Sequence, residues 1–205
     1  MSRQRVTGIV LAGGRSTRFG EDKLAAEVGG RPLLHRAIDA VAGVVDEIVV
    51  VVGADAPDPA LPSDLLVPVV VARDAVAGQG PLAGLAAGLA VASHPRALLV
   101  GGDQPALQPA LLRELLRRLD AGAGGAAPDV VGLEEDGQLR PLPVALRVAT
   151  VGPAAGVALT GGTRSLVGLF GGLRVGTLSS DRWRVLDPAG DSLRDIDTRD
   201  DLPSA

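Results

Sequence analysis

Short apolar runs alternate with segments of helical periodicity through the first part of the chain. Four runs are rich in valine, isoleucine and leucine and lead into glycine or aspartate, which is typical of buried parallel strands. They are RVTGIVLAGG, DEIVVVVG, VPVVVARD and RALLVGGD. Between them, GRPLLHRAIDAVAG (with Pro32 as its first helical residue and Gly43 as its stop), PLAGLAAGLAVAS and PALLRELLRRLDAG predict helices. This order predicts a Rossmann-like, three-layer α/β fold with a mostly parallel sheet.

The pattern changes in the last third of the chain. The segment DVVGLEEDGQLRPLPVALRV predicts two strands joined at Asp136-Gly137, a dipeptide that favours a hairpin turn. We expect these late strands to be antiparallel or peripheral, and we expect RVGTL and WRVLD to add further strands. Near the terminus, Thr198 is a candidate helix N-cap with Asp201 three residues on. No repeat or linker divides the sequence, so we expect one domain over residues 1–205.

Composition excludes several classes of protein. Hydrophobic residues make up 46% of the chain and charged residues 21%, which excludes a disordered or collagen-like chain. Cysteine is absent, which excludes disulfides and thiolate zinc sites, and we expect the two histidines, His35 and His94, to be structural. A net charge of −4 and 1% aromatic residues argue against a nucleic-acid partner. No apolar run approaches the roughly 18 residues of a membrane helix, so we expect a cytoplasmic protein with no membrane partner.

One lysine, Lys23, stands among 20 basic residues. In a chain with so strong a bias toward arginine, a lysine on a solvated face would be readily replaced by arginine. The guanidinium is a planar fork, whereas the ammonium is a compact point charge. The retained lysine therefore indicates a position that needs a compact cation.

Residues suited to a nucleotide follow three of the four predicted parallel strands. Gly13 and Gly14 follow the first, Asp74 follows the third and Asp103 follows the fourth. Each alone is a good turn former, but the carboxyl ends of parallel strands share one edge of a sheet, where ligands bind. Bare glycine backbone, the Lys23 ammonium and a carboxylate at that edge predict a site for a nucleoside triphosphate and Mg²⁺. The glycine loop matches neither the P-loop nor the dinucleotide-binding motif.

The segment LAGGRSTRFGEDK resembles the signature L-[AG]-[AG]-G-x-x-x-R-[MF]-G-x-x-K of nucleotidyltransferases with the nucleotide-diphospho-sugar transferase fold. GRPLLHRA, GQGPLAGL, GGDQP and DIDTRDDL follow in order and narrow the resemblance to the molybdenum cofactor guanylyltransferases, of the molybdopterin-guanine dinucleotide biosynthesis protein A type. Across essentially the whole chain, this resemblance implies transfer of GMP from GTP to the terminal phosphate of molybdopterin, with release of pyrophosphate. It implies Mg²⁺ as cofactor and leaves room for transient contact with proteins that deliver or use the molybdenum cofactor.

The resemblance implies a nucleotide-binding role for five residues of the first and third strand ends. Leu11, Ala12 and Gly13 would line the guanine and the ribose, and Gly14 would open the phosphate loop. Asp74 would accept hydrogen bonds from the guanine edge.

Three further residues carry the catalytic roles that the resemblance implies. Arg18 and Lys23 would neutralise the triphosphate, and Asp103 would hold Mg²⁺. Asp197 stands where relatives of the wider fold place a second metal-binding group.

The resemblance is weaker in the segments that would bind molybdopterin and at the end of the second predicted strand. Arg140 lies in the segment where the family carries a substrate-binding motif, and residues 161–164, ending in Arg164, are a second candidate for the pterin phosphate. Family members carry an asparagine near the end of the second strand, but this chain has Val52-Gly53 there and contains no asparagine. A backbone group is the available substitute for that side chain.

Two alternatives remain open at this point. The first is another nucleotidyltransferase of the same fold, such as one that transfers CMP to molybdopterin. The cytidylyl branch usually has alanine where this chain has Gly13. The second is a nucleotide-binding paralogue without turnover, which the presence of Lys23, Asp74 and Asp103 argues against.

Overall fold

The computed structural model describes residues 4–13, 23–74, 79–121, 127–196, 198 and 201. The strands are β1 (Val6–Leu11), β2 (Glu27–Val28), β3 (Arg31–Pro32), β4 (Glu47–Val52), β5 (Val69–Arg73), β6 (Arg96–Gly101), β7 (Val130–Glu135), β8 (Gln138–Arg147) and β9 (Val175–Leu178). Seven of them form one sheet in the order β5-β4-β1-β6-β8-β7-β9, and β2 pairs with β3 as a separate ribbon. Only β8 runs antiparallel to its neighbours in that sheet. The predicted mostly parallel sheet is confirmed.

Helices cover both faces of the sheet. They are α1 (Leu33–Ala42), α2 (Pro81–Val91), α3 (Pro109–Asp120), α4 (Val148–Thr160), α5 (Leu166–Phe170) and α6 (Ser180–Trp183), with short 3₁₀ helices at Lys23–Ala25 and Asp191–Leu193. Successive side chains of a strand point to opposite faces, so Val10 packs in the core with α1 and α3, whereas Ile9 packs in the core with α2, α4 and α5. The three-layer arrangement follows from this alternation. Within the described residues, no helix is both long and apolar enough to cross a membrane.

The predicted hairpin is present, with Asp136 at φ 51° and Gly137 at φ 75°. Two successive residues with positive φ are what a two-residue hairpin turn of the favoured hand requires. The expectation that the later strands are antiparallel holds for β8. That strand is inserted between β6 and β7, however, so it lies inside the sheet, and β5 and β9 are the two edge strands.

Two local predictions were wrong. The segment WRVLD is not a strand, because Trp183 ends α6 and buries its whole side chain while its Nε1 donates to the Glu134 carbonyl at 2.9 Å. Pro32 is not the first helical residue; it belongs to β3 and occupies the N-cap position of α1, with φ −55° and ψ 145°. The predicted stop at Gly43 is confirmed as the C-cap of α1.

The sheet register aligns the strand ends that the sequence singles out. Leu11 pairs with Val51 of β4 on one side and with Gly101 of β6 on the other. Val52 of β4 pairs in turn with Arg73 of β5. The carboxyl ends of β5, β4, β1 and β6 therefore form one continuous edge.

Candidate active site

The end of β1 is held between its two neighbours by backbone hydrogen bonds. Ala12 N donates to Val51 O at 2.7 Å, and Leu11 O accepts from Gly102 N at 2.9 Å. A Cβ at Gly13 would lie 3.4 Å from the backbone nitrogen of Gly53, so this glycine passes close to the end of β4. Residues 11–13 thus lie at the strand-end edge, between the ends of β4 and β6.

The single lysine of the chain lies at this edge and is bonded to the end of another strand. Lys23 begins the 3₁₀ helix after the glycine loop and is 8% exposed. Its Nζ donates to Asp103 Oδ2 at 2.9 Å, which joins two residues 80 positions apart in the chain. Burial of an ammonium costs free energy unless an opposite charge compensates it, so we expect this ion pair to fix the position of the Lys23 ammonium.

The turn after β6 is built so that Asp103 folds closely over glycine. A Cβ at Gly101 would lie 2.5 Å from Asp103 Oδ1, and one at Gly102 would lie 3.0 Å from Leu11 O and 3.2 Å from Leu34 Cδ1. A side chain at Gly101 would displace the Asp103 side chain, and one at Gly102 would press on the backbone of β1. The two glycines therefore leave room for the Asp103 side chain beside the end of β1.

Asp74 lies at the same edge but three strands away from Asp103. It follows β5, is half-buried, and its N donates to Val52 O at 2.9 Å. At about 4.8 Å between neighbouring strands, the ends of β5 and β6 are on the order of 14 Å apart. Asp74 and Asp103 can therefore contact opposite ends of one extended ligand, with residues 11–13 between them.

Three of the predicted site residues lie outside the described residues: Gly14, Arg18 and Asp197. The chain just before Asp197 nevertheless contacts the site, since Ile196 N donates to Asp103 O at 3.1 Å.

The two arginines considered for the pterin make other contacts. Arg164 Nη1 donates to the carbonyls of Leu159 and Thr163, both at 3.0 Å, at the end of α4. Its own carbonyl accepts from Leu82 N, in the first turn of α2, at 3.3 Å. Arg140 lies on β8 with its Nε 3.9 Å from Glu135 Oε2. The structure does not bring either guanidinium to the Lys23–Asp103 pair through any of these contacts.

One residue of the site was missed by sequence reasoning. Gln104, within the GGDQP segment, is 2% exposed and uses both ends of its amide in hydrogen bonds. The available signal was the residue type, because a buried amide directly after a strand-end aspartate needs both a donor and an acceptor as partners. His35, by contrast, lies as expected at a structural contact, with Nε2 2.9 Å from Ala60 O.

Comparison with known proteins places this geometry in a family. The model of the MobA-like NTP transferase domain matches residues 8–173. The protein of Desulfosudis oleivorans named "Molybdenum cofactor guanylyltransferase" is 32% identical over 202 residues, which cover 98% of this chain and 94% of the relative. The "Probable molybdenum cofactor guanylyltransferase" of Chloroflexus aggregans is 32% identical over 200 residues, covering 96% of this chain and 91% of the relative. The chain belongs to the MobA-like NTP transferase family. The resemblance noted in the sequence is confirmed at the level of the family.

Solved structures confirm the fold of this MobA-like chain. Molybdopterin-guanine dinucleotide biosynthesis protein A from Archaeoglobus fulgidus superposes with a TM-score of 0.73 at 20% identity, over 96% of this chain and 94% of that one. A 4-diphosphocytidyl-2C-methyl-D-erythritol synthase from Anaerococcus prevotii superposes with a TM-score of 0.67 at 16% identity, over 97% and 95%. Since differently named enzymes share the architecture, the fold by itself does not choose the nucleotide.

Proposed function

We propose that this MobA-like nucleotidyltransferase is a molybdenum cofactor guanylyltransferase, which transfers GMP from GTP to the terminal phosphate of molybdopterin. The observation that carries the proposal is the Lys23–Asp103 pair beside residues 11–13, at the edge where parallel strands bind ligands. Relatives named for this activity match almost the whole chain, which supports the choice of substrates. Molybdopterin guanine dinucleotide and pyrophosphate are the products.

The main obstacle to this reaction is repulsion between anions, which fixed cations relieve. A phosphate oxygen of molybdopterin attacks the α-phosphorus of GTP, a new P–O bond forms, and the bond to the β-phosphate breaks so that pyrophosphate leaves. Lys23 is buried and held by an ion pair, so its charge is preorganised for the triphosphate. We assign Arg18 and the Gly14 backbone to the same phosphates. The second pKa of a phosphate monoester is about 6, so the attacking group is ionised at neutral pH and needs no general base.

The residues present fit a magnesium ion at Asp103. Its carboxylate is 31% exposed, and carboxylate oxygens are hard ligands of the kind that Mg²⁺ prefers. Mg²⁺ is usually held by one or two carboxylates together with substrate phosphates and water, so a single carboxylate at this edge can contribute to such a site. When bound there, the ion would offset negative charge on the phosphates and polarise the phosphorus under attack.

The base end of the site is assigned to Asp74. A carboxylate can accept from both N1–H and N2–H₂ of guanine, whereas the equivalent edge of cytosine offers one amino donor and two acceptors. A site built around such hydrogen bonds discriminates strongly, because the wrong base leaves buried partners unpaired. Residues 11–13 would line the guanine and the ribose between Asp74 and the phosphate end.

The test is a transfer assay with purified protein, molybdopterin and Mg²⁺, in which GTP, CTP, ATP and UTP are compared. We expect pyrophosphate release and a product of the mass of molybdopterin guanine dinucleotide with GTP alone. Thermal shifts run in parallel report binding, since a ligand at a hundredfold excess over its Kd adds about 2.7 kcal/mol to the free energy of unfolding. Turnover of CTP at the rate of GTP would overturn the assignment of a guanylyltransferase. Binding of GTP without any transfer would make it a paralogue that has lost the reaction.

A further inference from the structure

The turn that carries Asp103 is bonded to a distant part of the chain through one buried amide. Gln104 Oε1 accepts from Gly101 N at 2.8 Å, and Gln104 Nε2 donates to Ser192 O at 3.2 Å. Ser192 is fully buried and lies 88 positions further along the chain. Gln104 thus closes the turn on one side and ties it to the carboxyl-terminal part of the chain on the other.

Residues 187–196, here called the brace, are themselves a hydrogen-bonded unit. The buried carboxylate of Asp187 accepts from Asp191 N at 3.0 Å and from Ser192 N at 2.8 Å. These bonds hold Ser192 so that its carbonyl faces Gln104 and its Oγ accepts from Gln108 N at 2.9 Å. The third attachment is Ile196 N, which donates to Asp103 O at 3.1 Å.

Asp103 is therefore held by hydrogen bonds at its own backbone and at the residue that follows it. Its own carbonyl is held by the brace, and the residue after it is held by both the brace and Gly101. A Cβ at Gly101 would lie 2.5 Å from Asp103 Oδ1 and 3.3 Å from Gln104 Cγ, so both side chains lie close to this glycine. Gln104 directly follows Asp103 in the chain, so we expect a shift of Gln104 to move the Asp103 carboxylate, to which Lys23 Nζ donates at 2.9 Å.

We propose that Gln104 is a positioning residue, which acts with the brace to hold the Asp103 carboxylate where it binds a divalent cation and pairs with Lys23. This inference rests on the proposed function, in which Asp103 is the metal-binding carboxylate. Glutamine suits the position because its amide supplies one acceptor for Gly101 N and one donor for Ser192 O. Partners that orient a metal ligand in this way typically change metal affinity or activity by about 10- to 100-fold when they are mutated.

The chain offers a matched control four residues away. Gln108 is also a glutamine beside the brace, but among the described residues its side chain makes just a local bond, from Nε2 to Ala106 O at 3.3 Å. Its bond to Ser192 comes from the backbone nitrogen and survives a change of side chain. Gln104→Leu and Gln108→Leu therefore make the same chemical change, and only the first cuts the link between the turn and the brace.

The primary measurement is Mn²⁺ binding by electron paramagnetic resonance, with GTP present and molybdopterin absent. We expect Gln104→Leu to weaken Mn²⁺ binding by about 10- to 100-fold and Gln108→Leu to change it by less than about twofold. In the transfer assay, the Mg²⁺ concentration for half-maximal kcat should rise in step, while the KM for GTP stays within about threefold of wild type. A Gln104→Leu protein that melts earlier but binds Mn²⁺ as Gln108→Leu does would overturn the proposal.

A second variant decides the matter if Gln104→Leu does not fold. Gln104→Glu keeps an acceptor for Gly101 N but places an acceptor against Ser192 O, so we expect weaker Mn²⁺ binding in a folded protein. Unchanged Mn²⁺ binding in that variant would also overturn the proposal.

Asp103→Ala separates the positioning role of Gln104 from the metal role of Asp103. If Asp103→Ala binds Mn²⁺ with GTP as wild type does, the metal role of Asp103 fails. If it loses Mn²⁺ while Gln104→Leu matches its control, only the positioning role fails.

Discussion

The Arg147 and Arg174 contacts at the amino edge of the sheet and the Lys23–Asp103 pair at the carboxyl edge differ in kind. At the amino edge, Arg147 donates to the carbonyls of Pro128 and Leu119, and a forked pair joins Arg174 to Asp129 at 3.0 and 2.8 Å. These bonds tie loops and helix ends to strands. At the carboxyl edge, the Lys23–Asp103 pair stands instead beside glycine backbone, with the carboxylate partly exposed.

The difference lies in what surrounds each pair. An arginine guanidinium that donates to a carboxylate or to several carbonyls uses its hydrogen-bond donors within the protein, which suits a structural role. A lysine is a point charge, and glycines without side chains leave the backbone of the neighbouring turn open to a ligand. We therefore expect substitutions of Arg174 or Asp129 to change the free energy of unfolding, and substitutions of Lys23 or Asp103 to change turnover.

The largest effect is expected at Asp103. Asp103→Ala should lower Mg²⁺-dependent GMP transfer by at least about 10³-fold, near the upper range for one preorganised electrostatic group, while some GTP binding remains through residues 11–13 and Asp74. Steady-state transfer and melting temperature, measured on the same preparation, test this. If Asp103 merely closed a turn, the change would cost about 1 kcal/mol of stability. A well-folded variant with more than half of the wild-type activity would remove the metal site from the mechanism.

Lys23 should rank next. Lys23→Ala removes a fixed charge from the phosphate end and should lower kcat by about 10²–10³-fold. Lys23→Arg should restore only part of this, because a planar guanidinium does not fit the space of a compact ammonium. The matched control is Arg174→Ala, which breaks an ion pair at the opposite edge and should leave kcat unchanged. Full activity in Lys23→Arg would show that any cation suffices there.

A smaller effect is expected on base choice. Asp74→Ala should reduce the preference for GTP over CTP by roughly 10- to 100-fold, in line with the cost of a lost buried hydrogen-bond partner. The measurement is the ratio of kcat/KM values for the two nucleotides in wild type and variant. Equal losses for both nucleotides would mean that Asp74 contacts the ribose or shapes the edge without reading the base.

The smallest expected effect is a pH-dependent change in the free energy of unfolding at the Arg174–Asp129 pair of the amino edge. Hydrogen bonds from Arg174 lower the pKa of Asp129 from its ordinary 3.8 to about 2, against the opposing effect of burial. Because the folded pKa is the lower one, this stabilisation is present above pH 4 and is lost as the pH falls toward 2. With Arg174 half exposed to solvent, we expect it to be worth about 1–2 kcal/mol.

Urea unfolding of wild type and Asp129→Asn across that pH window checks this. The free energies of unfolding should differ by about 1–2 kcal/mol at pH 6 and converge near pH 2, while transfer activity at pH 7 stays equal. A gap that persists unchanged to pH 2 would assign the stability of Asp129 to packing.

Much of the site could be predicted because its signals are local. Gly13 and Asp103 each follow a run of buried strand residues, whereas Asp74 follows the edge strand β5, in which only Ala72 is buried. The topology of parallel strands then brings the three positions to one edge. WRVLD shows the limit of such patterns. Apolar and polar residues alternate in this segment as they do in a strand. The burial of Trp183 and the hydrogen bond from its Nε1 to the Glu134 carbonyl favour a helical turn instead.

The sequence by itself determined the alternation of strands and helices and the sheet edge that Gly13, Asp74 and Asp103 share. It also determined that Lys23 is the one lysine among 20 basic residues. Those features depend on residue type and on spacing within a few turns of chain, which the pattern records directly. Only the tertiary structure decided that β8 is inserted inside the sheet, that Lys23 rests on Asp103, and that Gln104 joins the turn to residues 187–196. The two side-chain pairings connect residues 80 and 88 positions apart, and the pairing of β6 with β8 joins Arg96 to Arg147. No local periodicity encodes which distant donor meets which acceptor.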